Sequence, residues 1–88
     1  MSAAAPPSIT VRVLLFASYA ERFGFESLPV TLPASARVAD VVAHLRALPG
    51  GDQLPPKPLC ARNLSHAGWS EPVSEGDEIA ILPPLAGG

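Results

Sequence analysis

Ile9, Val11, Val13 and Leu15 alternate with Thr10, Arg12, Leu14 and Phe16 near one end of this sequence, and Ile79 and Ile81 repeat the same period near the other. An apolar side chain at every second position marks a strand with one face in a core. The first of these segments is also partly apolar on its second face, which suits the middle of a sheet. Two such strands at opposite ends of a short chain are expected to be central neighbours, and a parallel pairing requires the intervening chain to cross over. Between them Val38, Val41, Val42, Leu45 and Leu48 have the spacing of a helix over residues 38–48 with one buried stripe.

Punctuation divides the rest. Leu28, Val30 and Leu32 alternate with Ser27, Pro29 and Thr31 in a second strand, and Pro29, lacking an amide hydrogen, assigns that strand to an edge. Ser18 to Gly24 reads as a connection. Ser35 is the candidate N-cap of the helix, Asp40 lies in its first turn where the dipole favours an anion, and Pro49-Gly50-Gly51 stops it. Residues 51–58 read as an irregular surface loop with three prolines, Leu59 to Arg62 as a short strand, Asn63 to Glu71 as turn-rich, and Gly76-Asp77 as a tight turn before the last strand, Glu78 to Leu82. The order strand, strand, helix, strand, strand is that of an α+β layer pair, a small mixed sheet with one helix packed across it. The division expected is a leader over residues 1–8, one domain over 9–82, and an extended tail over 83–88.

With 88 residues there is room for one domain. A chain of this size hides only about 60 to 65% of its unfolded surface, which disfavours a large internal substrate cavity and hence a self-contained enzyme. Net charge is −2 and the six Lys and Arg are scattered, so no basic stripe tracks phosphates and nucleic acid is not an expected partner. No apolar run approaches the ~20 residues that span a bilayer, so no membrane partner is expected. A lone Cys60 and a start without a signal-peptide pattern fit a reducing, cytoplasmic setting.

Chemistry inside the domain is sparse. His44 and His66 have no partners at ligand spacing and read as boundary and surface histidines, so no metal is expected. Cys60 lies in an apolar strand with no histidine near it in sequence, and reads as a buried, inert thiol. Gly50-Gly51 lacks the leading strand and following Lys-Ser or Lys-Thr of a phosphate cradle, so no nucleotide is expected to bind this chain itself. Glu71, Glu75, Asp77 and Glu78 form an acidic cluster, read as a solvated face or a contact for a basic partner. Tyr19 and Trp69 read as packing anchors. Leu14, Phe16 and Leu82 fall on the outer phase of the central strands and would form an apolar patch suited to docking a protein.

The patch lies beside the segment that draws most attention, Leu82-Pro83-Pro84-Leu85-Ala86-Gly87-Gly88. Pro83 and Pro84 end the strand and stiffen the exit of the tail. Gly87 and Gly88 make the thinnest backbone available, able to thread a narrow tunnel. From Pro83 onward six residues span roughly 20 Å when extended, with the Gly88 carboxylate as the reactive atom.

Leu15-Phe16-Ala17 with Glu21, the 38–48 helix, Ala61-Arg62-Asn63 before a turn, and the series from Gly76-Asp77-Glu78 through Pro83-Pro84 to Gly87-Gly88 resemble the small subunit of molybdopterin synthase from about Ile9 to Gly88. The resemblance implies a ubiquitin-like β-grasp fold with a free C-terminal tail, and a sulfur carrier for molybdenum cofactor biosynthesis. It further implies that a ubiquitin-activating-like adenylyltransferase uses ATP to adenylate Gly88, that sulfur replaces AMP to give a thiocarboxylate, and that Gly87 gives access. The large subunit would then accept the tail and pass sulfur to precursor Z, cyclic pyranopterin monophosphate, in a heterotetramer. Phe16, Leu82, Pro83, Pro84, Leu85 and Ala86 are the implied partner-binding residues, and no cofactor is expected to be bound by the carrier itself. The family often has arginine where this chain has Ala20. Sulfur carriers of other pathways, such as thiamine biosynthesis, and ubiquitin-like protein modifiers share the fold and the diglycine, and stand as alternatives.

Overall fold

The computed structural model describes residues 7–83. Its strands are β1 (Ser8–Leu15), β2 (Ser27–Pro33), β3 (Leu59–Arg62), β4 (Ser65–Ala67) and β5 (Glu78–Leu82), and its helices α1 (Ser18–Phe23) and α2 (Val38–Arg46), with a single 3-10 turn at Gly51–Gln53. The sheet order is β2-β1-β5-β3-β4. β1 pairs in parallel with β5, Val13 opposite Ile79 and Leu15 opposite Ile81, and every other pairing is antiparallel. The two end segments of the sequence are therefore the central pair, as their patterns predict, and β2 with its Pro29 is an edge.

The alternating residues meet the helix stripe. Val11, Val13 and Leu15 of β1, Ile79 and Ile81 of β5, and Val38, Val41, Val42 and Leu45 of α2 are each 3% exposed or less and belong to one core. At about 25 cal/mol per Å² of apolar surface removed from water, each such side chain contributes about 1.5 to 3 kcal/mol, which makes this layer contact the main source of stability.

Four local features depart from the sequence-based expectations. The segment 18–24 is a helix, not a plain connection: Tyr19 and Phe23, four apart, are buried together, and Gly24 closes the turn in the left-handed region at φ 86° with its amide donating to Ala20. The N-cap of α2 is Arg37, two residues beyond Ser35. Asp40 Oδ2 accepts the Arg37 amide at 2.8 Å, while the Val38 and Ala39 amides donate to the carbonyls of Glu71 (2.9 Å) and Trp69 (3.0 Å). The loop before β5 thus satisfies the orphan amides that a serine cap would have served. Residues 51–58 are not simply a surface loop, since Leu54 and Pro58 are buried and Arg46 donates to the carbonyls of Leu54, Pro55 and Pro56 at 2.9 to 3.1 Å. Finally, the turn-rich stretch after Asn63 contains β4, which forms a hairpin with β3 through Asn63 and Leu64, both at positive φ.

The end of α2 depends on Gly51. A Cβ there would meet the carbonyl oxygen of Leu45 and lie 2.6 Å from Arg46 Cα, contacts with backbone that no rotamer relieves. Gly51→Ala is expected to destabilise by about 2 to 3 kcal/mol in urea unfolding, whereas Gly68→Ala, with nothing within 4 Å, stays within about 0.5 kcal/mol. Equal midpoints for the two variants would refute this account of the helix end.

Candidate functional site

Because β1 and β5 are parallel, both end at the same side of the sheet, and β3, antiparallel to β5, begins there. That edge collects three apolar side chains. Phe16 comes directly after the Leu15–Ile81 pair and so lies beside Leu82, and Leu59 is the register partner of Leu82 on its other side. Phe16 is 44% exposed, Leu59 46%, and Leu82 and Pro83 are half-buried. Leu14, Ala80 and Ala61, mutually paired across the three strands, continue the patch as a second, half-buried row on the face opposite α2. Of the candidate docking residues, Phe16, Leu82 and Pro83 thus stand at the same end of the sheet, just past or at the last paired positions of β1 and β5. Pro84, Leu85, Ala86, Gly87 and Gly88 lie outside the described residues. Leu59 was not among the candidates; its outward phase next to β5 is a consequence of register, which a four-residue strand does not reveal in sequence.

The acidic cluster is only in part a solvated face: Glu75 is exposed and Glu71 and Glu78 are half-buried. Asp77 is buried, and Oδ2 accepts from Arg62 Nε at 2.6 Å and from the Ser74 amide at 2.7 Å while Oδ1 accepts from Asn63 Nδ2 at 3.0 Å. Arg62 also reaches Glu71 at 3.4 Å, and Glu75 Oε1 accepts the Thr10 amide at 2.9 Å. Three of the four acids therefore tie the turn before β5 to the β3–β4 hairpin and to β1. Burial pushes the Asp77 carboxyl upward, but the hydrogen bonds from Asn63, Arg62 and the Ser74 amide, with the charge of Arg62, together outweigh it and hold it below the usual carboxylate value. The same hydrogen bond to Asp77, then that to Glu71, raises Arg62.

The remaining chemical candidates are dispersed. Cys60 is buried and its thiol donates weakly to the Pro58 carbonyl at 3.5 Å; burial pushes it up to about 11, so it stays protonated at neutral pH and is a poor nucleophile. His44 is exposed on α2 and His66 exposed on β4 opposite Ala61. Among the described residues no three His, Cys, Asp or Glu side chains cluster to hold a metal, and no helix is long and apolar enough to cross a membrane. Tyr19 is buried and Trp69 packs against the core, as anchors.

A mixed five-stranded sheet with central parallel strands, one main helix across it and a segment leaving the central strand β5 defines a ubiquitin-like β-grasp protein. The chain belongs to the ThiS family, whose model matches residues 13–88. It is 34% identical over 85 residues to the molybdopterin synthase sulfur carrier subunit of Drosophila yakuba, covering 93% of this chain and 94% of the fly protein. Among solved structures it is similar to small archaeal modifier protein 1 (SAMP1) of Haloferax volcanii, at 32% identity and a TM-score of 0.74, covering 90% of this chain and 99% of the other. A Pyrococcus furiosus structure, provisionally described as molybdopterin converting factor, subunit 1, shares the fold at 21% identity and a TM-score of 0.75, over 88% of this chain and 99% of that one.

Asp77 makes a pH prediction. Its folded value is depressed, so its contribution is full above the unfolded value of about 3.9 and is lost as pH falls through the lower, folded value. Urea midpoints of the native chain are expected to drop below about pH 4 more steeply than those of Asp77→Asn, which lacks the titrating group. Parallel curves for the two proteins would remove Asp77 from the acid response.

Proposed function

We propose that this chain is the sulfur carrier subunit of molybdopterin synthase, not an enzyme by itself, and that Gly88 carries the sulfur. The observation that carries this reading is the near full-length match to the fly sulfur carrier subunit in a chain whose diglycine comes after β5 beside the Phe16, Leu82 and Leu59 patch. A carboxylate is a poor electrophile, and activation solves that problem. A Gly88 oxygen attacks the α-phosphorus of ATP held by an adenylyltransferase of the ubiquitin-activating type, and pyrophosphate leaves. The acyl adenylate is a mixed anhydride with a good leaving group, so hydrosulfide from a sulfur donor attacks the acyl carbon, the C–O bond to AMP breaks, and the thiocarboxylate forms as AMP leaves and the sulfur's proton passes to solvent. The tail then enters the large synthase subunit, where sulfur passes to precursor Z. Two carriers on a dimer of large subunits would form the heterotetramer.

In this reading the domain is a handle. Phe16, Leu82, Pro83 and Leu59 dock the partner, and Pro84, Leu85, Ala86 and Gly87 thread its channel, so that both activating enzyme and synthase reach Gly88 without a pocket in the carrier. Cytoplasmic residence accords with the ATP-dependent partners. A second reading, a ubiquitin-like modifier that ends in an isopeptide bond on target proteins, is favoured by the 32% identity to small archaeal modifier protein 1.

Intact-mass spectrometry separates them. After incubation with the activating enzyme, ATP and a sulfur donor, the chain is expected to exchange one oxygen for sulfur, and a chain lacking Gly88 is not. No exchange with an enzyme that demonstrably activates another carrier would overturn the sulfur carrier reading, and lysine-linked adducts of the chain in cells would install the modifier in its place. Phe16→Ala is expected to weaken binding to the large subunit by about tenfold, measured by calorimetry, without lowering the thermal midpoint.

A further inference from the structure

Arg12 stands on the outer face of β1, two residues before Leu14 and four before Phe16, and is exposed. A depression of about 330 Å³ lies toward the end of the strand, lined by Arg12, Leu14, Phe16, Glu26 and Ser27 among others. A second, of about 350 Å³, lies on the other side, where Arg12 and Ser27 are joined by Thr10, Leu28, Pro29 and Gly76. Arg12 and Ser27 line both, so the two depressions lie end to end as a groove along β1 and β2, from Phe16 to the Gly76 turn, with the Arg12–Ser27 contact where they meet. The depression toward Gly76 is mostly apolar and the one toward Phe16 is mixed, with Arg12 lining both.

That guanidinium is held by little. It reaches Ser27 Oγ through Nη2 at 3.5 Å, the outer limit of a hydrogen bond. Glu78 is its register partner on β5 and Glu26 lines the groove, yet among the described residues neither closes an ion pair with it. Arg37, Arg46 and Arg62, by contrast, each donate at 3.0 Å or less to a carbonyl or carboxylate of the fold.

We propose that the groove receives an extended segment of the protein partner that covers Phe16, and that a single carboxylate on that segment is bound by Arg12. This rests on the docking role of Phe16 and Leu82 under the proposed function and adds the chemistry of the partner. Continuity with the Leu14 and Phe16 patch places the segment on the same partner. Charge selects a lone carboxylate: Arg12 offers a planar fork that matches it, while Glu26 and Glu78 on either side repel a polyanion such as nucleic acid. The mostly apolar lining toward Gly76 lowers the local dielectric and strengthens the pair.

Calorimetry with the purified large synthase subunit tests this at about 0.05 M and about 0.5 M salt, using the full chain and its Arg12→Lys, Arg12→Glu and Phe16→Ala variants. Arg12→Glu is expected to weaken binding by about tenfold or more at low salt and by much less at high salt, with Arg12→Lys between it and the native chain. The thermal midpoint of Arg12→Lys should be unchanged, because the side chain is exposed and its charge is kept, whereas Arg12→Glu faces Glu78 and should lose a little at low salt. Native affinity in Arg12→Glu with impaired Phe16→Ala would overturn the groove and leave the docking patch standing. Native affinity in both would overturn the docking reading itself. A salt-independent loss together with a lowered midpoint would make Arg12 a structural residue and refute its role in recognition.

Discussion

The parallel pairing of β1 with β5 is the constraint on which the rest of the molecule depends. It joins Leu15 to Ile81, 66 positions apart, so nearly the whole chain must be closed into a loop before this contact forms. The entropic cost of such a closure grows only slowly with length, but it has to be met by burial that the two strands share. They supply it on one face, where Val13 and Ile79 are fully buried against α2. Parallel strands also need a crossover, and the helix that provides it is the same element that covers the core. Remove the pairing and β2, which pairs only with β1, and β3 with β4, which reach the sheet only through β5, lose their common platform.

What was legible in the sequence is what repeats with a period. Four apolar residues at every second position in β1, and four along one stripe of α2, are strong enough to fix type and face, and Pro29 identified its strand as an edge because a missing amide has no other tolerable place in a ladder. What was not legible is what tertiary contact decides. The six residues of α1 are too short to show a helical period, and only the joint burial of Tyr19 and Phe23 holds them as a helix. The three residues of β4 depend on the Asn63–Leu64 turn, where positive φ at a leucine gives no glycine signal to read. Ser35 is a good cap by type, but the loop carbonyls of Trp69 and Glu71 reach the helix first. At the site, Phe16 and Leu82 were legible as outward phases of long alternations, whereas Leu59 required the register of β3.

Acidic residues near Gly76 illustrate why composition misleads where topology is unknown. Four carboxylates within eight residues suggest repulsion and solvent. Folding instead threads Arg62 between two of them, because β3 runs antiparallel beside β5 and delivers Arg62 and Asn63 to the turn that precedes it. The result is a bracket: the Asp77 carboxylate fixes the turn through Ser74, the hairpin through Asn63 and Arg62, and the Arg12 amide is held by the Asp77 carbonyl at 2.8 Å. β5 therefore starts from a rigid base.

Under the proposed function the tail is handed between partners, and that makes mechanical demands which this arrangement meets. β5 is paired with β1 on one flank up to Ile81 and with β3 on the other up to Leu82, so the strand from which the tail leaves is held by two neighbours and is not an edge that can fray. The true edges are poor templates for another chain: β2 carries Pro29 and Pro33, and β4 is three residues long. Strand addition being discouraged at both edges, the surface left for a protein is the outer sheet face, and there the exposed rings and aliphatics stand around the exit of β5. The same topology that places two strands in parallel at the centre thus puts the apolar patch and the root of the tail at one end of the sheet, where a single partner can hold the first while acting on what the second carries.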